Sequence, residues 1–264
     1  MPFTASHAVV ALPFIRTRLV PSAIAIGAMT PDLPLFLRGT GVSYGFTHGV
    51  ENVLWTALLA SVLFAVWRFV LRPAVPQLVP RPLAVRLPAE WNRCGMRSWR
   101  DVLGVGRRRT DVLWLALSLV IGVLSHIAWD LFTHEGRGGV MLIPALDQLW
   151  GPLPGYKWLQ YGSSAAGLVV IALWGALRLR RLVPGEPPSR VVPTGVVIAW
   201  WCSLPVILIV AWAAGVLAFG PFTAEFTPRH LAYRVLPPAC AVWGALTLVL
   251  CLSMPLFARA HQRG

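Results

Sequence analysis

The fold class follows from residues 112–134, VLWLALSLVIGVLSHIAWDLFTH. The stretch begins with a long apolar run, and a transmembrane helix needs about 20 mainly apolar residues. It ends with His126, Asp130 and His134, which follow one another at intervals of four residues. The stretch therefore predicts a membrane-spanning helix that ends in a row of ionisable side chains.

The composition also indicates an integral membrane protein. Of the 264 residues, 56% are hydrophobic and 12% are charged, and the mean hydropathy is +0.66. In a soluble protein the net charge of +13 would suggest a nucleic-acid partner. Here the arginines lie between apolar stretches, so membrane topology explains them better. We expect membrane lipids as partners and no nucleic acid, and the sequence does not identify a protein partner.

Four further stretches have the length and hydropathy of membrane spans. They are 49–70, 161–178, 194–218 and 236–257, and we expect a short interfacial helix at 227–238 before the last of them. The first 40 residues are apolar too, but Pro13, Pro21, Pro31 and Pro34 divide them. We predict two short helices there that lie in the interface or re-enter it, and a full span is the alternative. The expected fold is an all-α integral membrane protein with five transmembrane helices.

The distribution of basic residues predicts the orientation in the cell membrane. Segments 68–109 and 178–190 and the C-terminal tail hold 16 of the 23 Lys and Arg residues. The alternate segments hold the other 7. Basic residues favour the cytoplasmic side, so we expect the N-terminus outside and the C-terminus inside. On this topology the segments that carry His7, Asp32, His48 and 126–134 share the outer face.

The chain divides into two parts by the placement of these ionisable groups. Residues 1–160 contain the candidate site and the cytoplasmic loop 72–111, which is rich in Pro and Arg. We expect that loop to be mostly irregular, with a short amphipathic helix near 89–103. Residues 161–264 contain three further spans that hold no acidic residue and no histidine. We interpret these spans as a scaffold.

The spacing of His126, Asp130 and His134 suits metal binding. Side chains four residues apart share one face of an α-helix, so neighbouring pairs can bind one ion. The zinc motif HExxH places its two imidazoles at the same spacing. Zinc takes His nitrogen and Asp oxygen as ligands. The alternative is a polar patch that is hydrogen-bonded to neighbouring helices.

Three groups from the predicted outer face can complete a metal shell. They are His48, directly after Thr47 as a candidate N-cap of the first span; Asp32, between Pro31 and Pro34; and His7, near a helix start. Glu51 and Glu135 are weaker candidates. His230 and His261 stand alone, and a single interfacial histidine is usually solvated or bonded locally.

Four motifs together resemble a known bacterial membrane family. They are PFTASHAVVALP (2–13), AIGAMTPDLP (25–34), THG (47–49) and HIAWDLFTH (126–134). They resemble domain-of-unknown-function family 4184, over most of the first 160 residues. That family is similar to membrane-bound metal-dependent hydrolases and, more distantly, to zinc-dependent phospholipases C.

The resemblance implies a set of ligands. In the phospholipases the zinc ligands follow the order His, Asp, His, HxxxD and a further His. The corresponding residues here would place Asp32, His48, His126 and Asp130 around one metal. His7 would join Asp130 at a second metal, and His134 would begin a third position. The phospholipases continue with HxxxE, whereas this chain has no histidine between 134 and 230, so we expect one or two ions.

Three functions are compatible with such a site. The first is a metal-dependent hydrolase at the outer membrane face, with zinc as the expected ion, Asp32 or Asp130 as general base, and a lipid phosphoester as substrate. The second is a non-enzymatic protein with a structural metal. The third is a transporter that uses Asp130 in a proton relay, although the last three spans offer no polar path.

Overall fold

The structure is a computed structural model that describes residues 4–39, 41–88, 91, 110–186 and 189–263. The described chain is helical apart from one two-stranded hairpin, and it contains five helices long and apolar enough to cross a membrane. The predicted all-α membrane fold is therefore confirmed. The helix predicted near 89–103 falls almost entirely outside the described residues.

The helices follow one another with short connections. They are α1 Pro21–Met29, α2 Leu33–Phe36, α3 Tyr44–His48, α4 Val53–Val66, α5 Arg72–Leu78, α6 Arg81–Ala84, α7 Thr110–Thr133, α8 Gly138–Leu142, α9 Gly155–Arg181, α10 Thr194–Phe219 and α11 Pro228–Arg263. Short 3₁₀ helices occupy Thr4–Phe14, Thr30–Asp32, Val50–Asn52 and Pro144–Asp147. Strand β1 (Leu149–Trp150) pairs antiparallel with β2 (Leu153–Pro154), and Gly151 in the turn adopts a φ of 77°.

The five spans are Val50–Leu78, Thr110–Thr133, Gly155–Arg181, Thr194–Phe219 and Pro228–Phe257, called below the first to fifth spans. Three of them differ from the predicted bounds by more than two residues at one end or both. The first span continues to Leu78, so the prediction of an irregular loop from residue 72 was wrong for 72–78. A π-helical turn at Trp67–Leu71 precedes the helical segment that contains Pro73, and such a turn accommodates the missing proline donor.

The third span begins at Gly155 and the fifth at Pro228, both earlier than predicted. The prediction of a separate interfacial helix before the fifth span was wrong. One continuous helix runs through Pro237 and Pro238. Membrane helices tolerate such prolines because neighbouring groups satisfy the freed backbone carbonyls.

By its contacts the chain forms two compact units. The first unit is residues 1–34, 41–65 and 98–181, and the second is 35–40, 66–97 and 182–264. This division assigns the third span to the first unit. The predicted boundary at residue 160 concerned function, and the scaffold role of the last three spans stays a prediction.

In the first unit, α1 lies along the second span. The apolar core between them and the first span consists of buried small and branched side chains, namely Ala23, Val53, Ala57, Ala60, Phe64, Leu119, Val123 and Ile127. A Cβ on Gly122 would lie 2.3 Å from the Ile24 carbonyl oxygen, and a Cβ on Gly27 would lie 2.5 Å from that of Leu119. The two glycines therefore permit backbone contact between the helices, as small residues do at membrane helix interfaces.

One face of the second span carries a functionally placed residue every four positions, at 118, 122, 126 and 130. Ser118 accepts a hydrogen bond from the backbone N–H of Val20, 2.9 Å away, at the start of α1. Gly122 allows the close approach, and His126 and Asp130 follow on the same buried face. This face therefore positions α1 against the span and carries the candidate site at its end.

In the second unit, tryptophans of the fourth and fifth spans find polar partners. The indole of Trp200 donates to the Thr247 hydroxyl, and the indole of Trp243 donates to the Ser203 hydroxyl, both at 3.0 Å. The rings of Trp200 and Trp243 stack with centroids 5.3 Å apart. Both indole N–H groups therefore have hydrogen-bond acceptors within the apolar environment of the spans.

Candidate metal centre

Five of the six predicted ligands meet within the first unit. His7 comes from the N-terminal 3₁₀ helix, Asp32 from the turn after α1, His48 from the end of α3, and His126 and Asp130 from the last two turns of the second span. Ligand atoms from His7, Asp32 and His126 lie within 4.8 Å of one another, and so do atoms from His48, His126 and Asp130.

Local hydrogen bonds hold α3 in place. The Ser43 hydroxyl caps the helix by accepting from the Phe46 amide at 3.1 Å. Thr47 donates its hydroxyl to the Pro31 carbonyl oxygen at 2.7 Å and so joins α3 to the turn that carries Asp32. The prediction that Thr47 caps the first span was wrong, because Thr47 lies inside α3.

Two imidazoles present unprotonated nitrogens to the centre. His126 places Nδ1 2.7 Å from the Ala28 carbonyl oxygen, and His48 places Nδ1 2.9 Å from that of Tyr44. A carbonyl only accepts, so each Nδ1 carries a hydrogen, and in the neutral ring each Nε2 carries a lone pair. The two Nε2 atoms face each other at 3.1 Å. Two neutral imidazoles in these tautomers cannot hydrogen-bond to each other.

Two carboxylates close the same space. Asp32 Oδ1 lies 3.8 Å from His48 Nε2 and 3.7 Å from His126 Nε2. Asp130 Oδ2 lies 3.4 Å and 3.5 Å from the same two nitrogens. A tetrahedral shell with metal–ligand bonds of about 2.0–2.1 Å has edges of about 3.3–3.4 Å. The five separations among these atoms that involve an imidazole nitrogen, 3.1–3.8 Å, are therefore close to the edges of such a shell.

The centre is buried and contains polar atoms that lack partners. Asp32, His48, His126 and Asp130 are each exposed by at most 4%. Among the described residues no hydrogen-bond partner reaches His7 Nε2 or Asp130 Oδ1, although both atoms are buried. Orphaned buried acceptors are destabilising unless something binds them. The donor set of imidazole nitrogens and carboxylate oxygens fits a divalent cation such as zinc.

His7 forms one wall of the centre. Its ring lies against that of His126, with centroids 4.1 Å apart and an interplanar angle of 30°. Burial, with a smaller effect from the neighbouring His126 imidazole, lowers the pKa of His7 to about 3. His7 is therefore neutral at physiological pH, which is the form that binds metals.

Tyr44 adds a donor at the edge of the centre. Its hydroxyl points at Asp130 Oδ2, 3.4 Å away, and its ring stacks on His48 with centroids 3.7 Å apart. Burial and the nearby Asp130 carboxylate raise the pKa of Tyr44 well above its usual value. The phenol therefore stays protonated and can donate.

The structure places His134 beside the cluster. Its Nδ1 lies 3.5 Å from Asp130 Oδ2, and its Nε2 lies 3.0 Å from the Gln160 amide nitrogen. Burial lowers its pKa. The weaker candidate Glu135 accepts from the Tyr156 hydroxyl at 3.3 Å, and neither Glu135 nor Glu51 joins the metal-suited groups found among the described residues.

Three polar residues around the cluster were not among the predicted site residues. Thr4 donates its hydroxyl to Asp32 Oδ2 at 2.7 Å, Tyr44 approaches Asp130, and Gln160 approaches His134. Tyr44 had a signal in the sequence, because it precedes His48 by the same four residues that separate His126 from Asp130. Thr4 and Gln160 had no comparable signal.

Comparison with known proteins identifies the family of this chain but does not identify an activity. No curated protein matches this chain, and no solved structure matches it. A family model described as a domain of unknown function, DUF4184, matches residues 1–252, which include every residue of the centre. The chain therefore belongs to the DUF4184 family.

Proposed function

We propose that this protein is a metal-dependent hydrolase in a bacterial cell membrane, with its site at the extracytoplasmic face. The observation that supports it most is the set of facing donors: Asp32 Oδ1 and Asp130 Oδ2 each lie 3.4–3.8 Å from both His48 Nε2 and His126 Nε2, which are themselves 3.1 Å apart. Two buried imidazole nitrogens with two carboxylate oxygens beside them form an electron-rich cluster that a cation would stabilise.

Zinc is the ion that this donor set favours. Imidazole and carboxylate ligands in tetrahedral arrangement are typical of zinc sites. The site holds one or two ions, since His7 Nε2 and Asp130 Oδ1 offer two further buried atoms. When bound, such an ion polarises the scissile group and makes a bound water more acidic.

The carboxylates have different surroundings and so suit different roles. Asp32 Oδ2 already accepts from Thr4, while Asp130 Oδ1 has no partner among the described residues. A general base needs an oxygen that can take a proton. Asp130 is therefore the better candidate for the base, and Asp32 is the alternative.

The surroundings of the centre favour an anionic substrate from the membrane. His48 directly precedes the first span, and Asp130 lies one turn before the end of the second span, so the cluster lies at one end of both. The positive charges of Arg137 and Lys157 act on Tyr44 and His134 respectively. A phosphoester of a lipid headgroup combines the negative charge and the position that these features suit.

The alternative is a closed structural metal site. It is favoured by the near-complete burial of the four donors, because structural zinc has four protein ligands and no open position. Against it stand the unpartnered atoms His7 Nε2 and Asp130 Oδ1, which a closed four-ligand shell would leave unused.

Metal analysis of the purified protein tests the proposal. The wild type is compared with His126→Ala and Asp130→Ala, and His230→Ala in the second unit is the matched histidine control. We expect bound zinc in the wild type and control and little in the other two. Equal metal content in all four proteins would contradict the proposal that His126 and Asp130 bind the metal.

An activity assay separates the two candidate functions. Zinc-loaded protein is incubated with vesicles that contain phospholipids, and release of soluble phosphate esters is measured. We expect release that disappears in Asp130→Ala. Bound metal without turnover on phosphomonoester and phosphodiester lipids would favour the structural site.

A further inference from the structure

We propose that His134 is a positioning residue that stands outside the metal shell and turns an N–H towards Asp130, with its orientation fixed by Gln160 and Lys157. This inference rests on the proposed function, since Asp130 is there a metal ligand and the candidate base. It differs from the role that the family resemblance implies for His134, which is that of a ligand.

The orientation of Gln160 follows from Lys157. The ammonium of Lys157 lies 3.0 Å from Gln160 Oε1, and an ammonium group only donates. The amide oxygen must therefore face Lys157, which turns the amide NH₂ the other way. Gln160 is 1% exposed, so the surrounding helices limit its other rotamers.

The tautomer of His134 follows from Gln160. The Gln160 amide nitrogen lies 3.0 Å from His134 Nε2, and an amide NH₂ group only donates. His134 Nε2 is therefore the acceptor, and in the neutral ring Nδ1 carries the hydrogen. That N–H is directed to the side of Asp130, whose backbone hydrogen-bonds His134 and whose Oδ2 lies 3.5 Å from Nδ1.

The contacts of Thr133 agree with this tautomer. Its hydroxyl donates to the Trp129 carbonyl oxygen at 3.3 Å, so its oxygen is left as an acceptor. That oxygen lies 3.2 Å from His134 Nδ1. While the Thr133 hydroxyl donates to Trp129, its oxygen can accept from Nδ1, which agrees with the tautomer that Gln160 sets.

His134 thus differs from the other two histidines in what it presents to Asp130. His48 and His126 direct a lone pair at the centre, whereas His134 directs an N–H. With the Tyr44 hydroxyl, two donors lie within 3.5 Å of Asp130 Oδ2, and none of the described residues hydrogen-bonds to Oδ1. Donors outside a metal shell orient the ligating carboxylate and tune its basicity.

Nitrogen NMR of the protein with ¹⁵N-labelled histidine, in lipid nanodiscs, reads the tautomer directly. In the metal-free wild type we expect His134 as the Nδ1–H form. Gln160→Glu replaces the donor by a group that only accepts, so His134 should change to the Nε2–H or doubly protonated form. Finding the Nε2–H form in the wild type would overturn the proposed orientation.

Titration with zinc in the same sample separates ligands from positioning residues. We expect the Nε2 signals of His48 and His126 to move on loading, while His134 keeps its Nδ1–H pattern. Loss of the His134 N–H with zinc would make it a ligand and overturn the proposal. If no histidine signal moves, the proposed function fails, and with it the assignment of Asp130 as a ligand.

Metal affinity supplies a second readout. We expect His134→Ala and Gln160→Ala to weaken zinc binding about 10–100-fold with unchanged stoichiometry. Lys157→Met should act in the same direction, and Lys157→Arg, which also only donates, should restore affinity. Ser125→Ala is the control, because the Ser125 hydroxyl bonds a carbonyl of its own helix. A lower stoichiometry in His134→Ala would contradict the proposal.

Discussion

The Nε2 atoms of His48 and His126 lie 3.1 Å apart, and each ring donates its Nδ1–H to a backbone carbonyl. In the neutral rings the two Nε2 atoms therefore present lone pairs to each other inside a buried cluster. The arrangement is unfavourable without a proton or a metal ion between the rings, because neither nitrogen can donate. The stability of the folded protein should therefore depend on what binds there.

Removing metal should lower stability. A ligand that binds only the folded state stabilises it by about 2.7 kcal/mol at a concentration of 100 Kd. We expect chelation to reduce the thermal midpoint of the detergent-solubilised protein and zinc to restore it. His126→Ala should show a low midpoint that neither treatment changes. An equal response in wild type and His126→Ala would mean that the chelator acts elsewhere.

The substitution Gly122→Ala should disrupt the metal centre although residue 122 is not part of it. The new Cβ would lie 2.3 Å from the Ile24 carbonyl oxygen, so α1 must move away from the second span. Overpacking of this kind costs about 1–3 kcal/mol. It should also separate the Ala28 carbonyl from His126 and reduce metal content. Gly175→Ala, a helical glycine with nothing within 4 Å of its Cβ position, is the control.

Acidification should destabilise the metal-free protein through His7. The pKa of His7 is about 3 in the folded protein, against an ordinary value of 6.5. Between these two pH values the unfolded chain therefore binds a proton at His7 that the folded chain does not bind. The stability contributed by neutral His7 is complete above pH 6.5 and declines as the pH falls towards 3.

The size of this effect can be measured with His7→Phe, which keeps a ring against His126 and does not titrate. Between pH 7 and pH 5 the wild type should lose up to about 2 kcal/mol more than the variant, since each pH unit corresponds to about 1.4 kcal/mol. The measurement is unfolding by denaturant at the two pH values. Equal losses would show that His7 is accessible to protons in the folded state.

Tyr44→Phe should have a small effect on metal binding. The variant loses the hydroxyl near Asp130 Oδ2 but retains the ring stacked on His48. The hydrogen bond to the carboxylate is long, at 3.4 Å, so we expect it to contribute no more than a typical hydrogen bond, about 1 kcal/mol, and zinc affinity to fall less than tenfold. Tyr44→Leu also loses the stacking and should bind more weakly. Binding constants from competition with a chelating dye compare the variants, and identical constants would exclude Tyr44 from the centre.

The orientation of the chain remains a prediction from its arginines. Single cysteines introduced at 142 and 185 in a cysteine-free background should differ in reaction with a membrane-impermeant maleimide. Residue 142 follows the second span and should react in intact cells. Residue 185 follows the third span and should react only after lysis. The reverse pattern would place the metal centre on the cytoplasmic face.

The five spans were predictable because length and hydropathy alone identify them, whereas their ends were not. The prediction ended the first span near residue 70 and began the fifth at 236, each time beside prolines. The structure continues both helices through those prolines. Whether a proline ends a membrane helix depends on groups nearby in space, which the local sequence does not reveal.

The convergence of His7, Asp32, His48, His126 and Asp130 could be anticipated because the topology placed all five near one membrane face. The orientation of His134 could not. It depends on Gln160 and Lys157, which lie 26 and 23 positions further along the chain, and on which amide atom faces the ammonium. Spacing along a helix shows which side chains share a face and does not show which ring nitrogen carries the hydrogen.

The hydrogen bond from His126 to the Ala28 carbonyl joins residues that are 98 positions apart. During translation the segment that carries His7 and Asp32 therefore emerges long before the helix against which it packs. The cluster is complete only after the second span has entered the bilayer, and until then the carboxylate of Asp32 needs water or another protein to shield it.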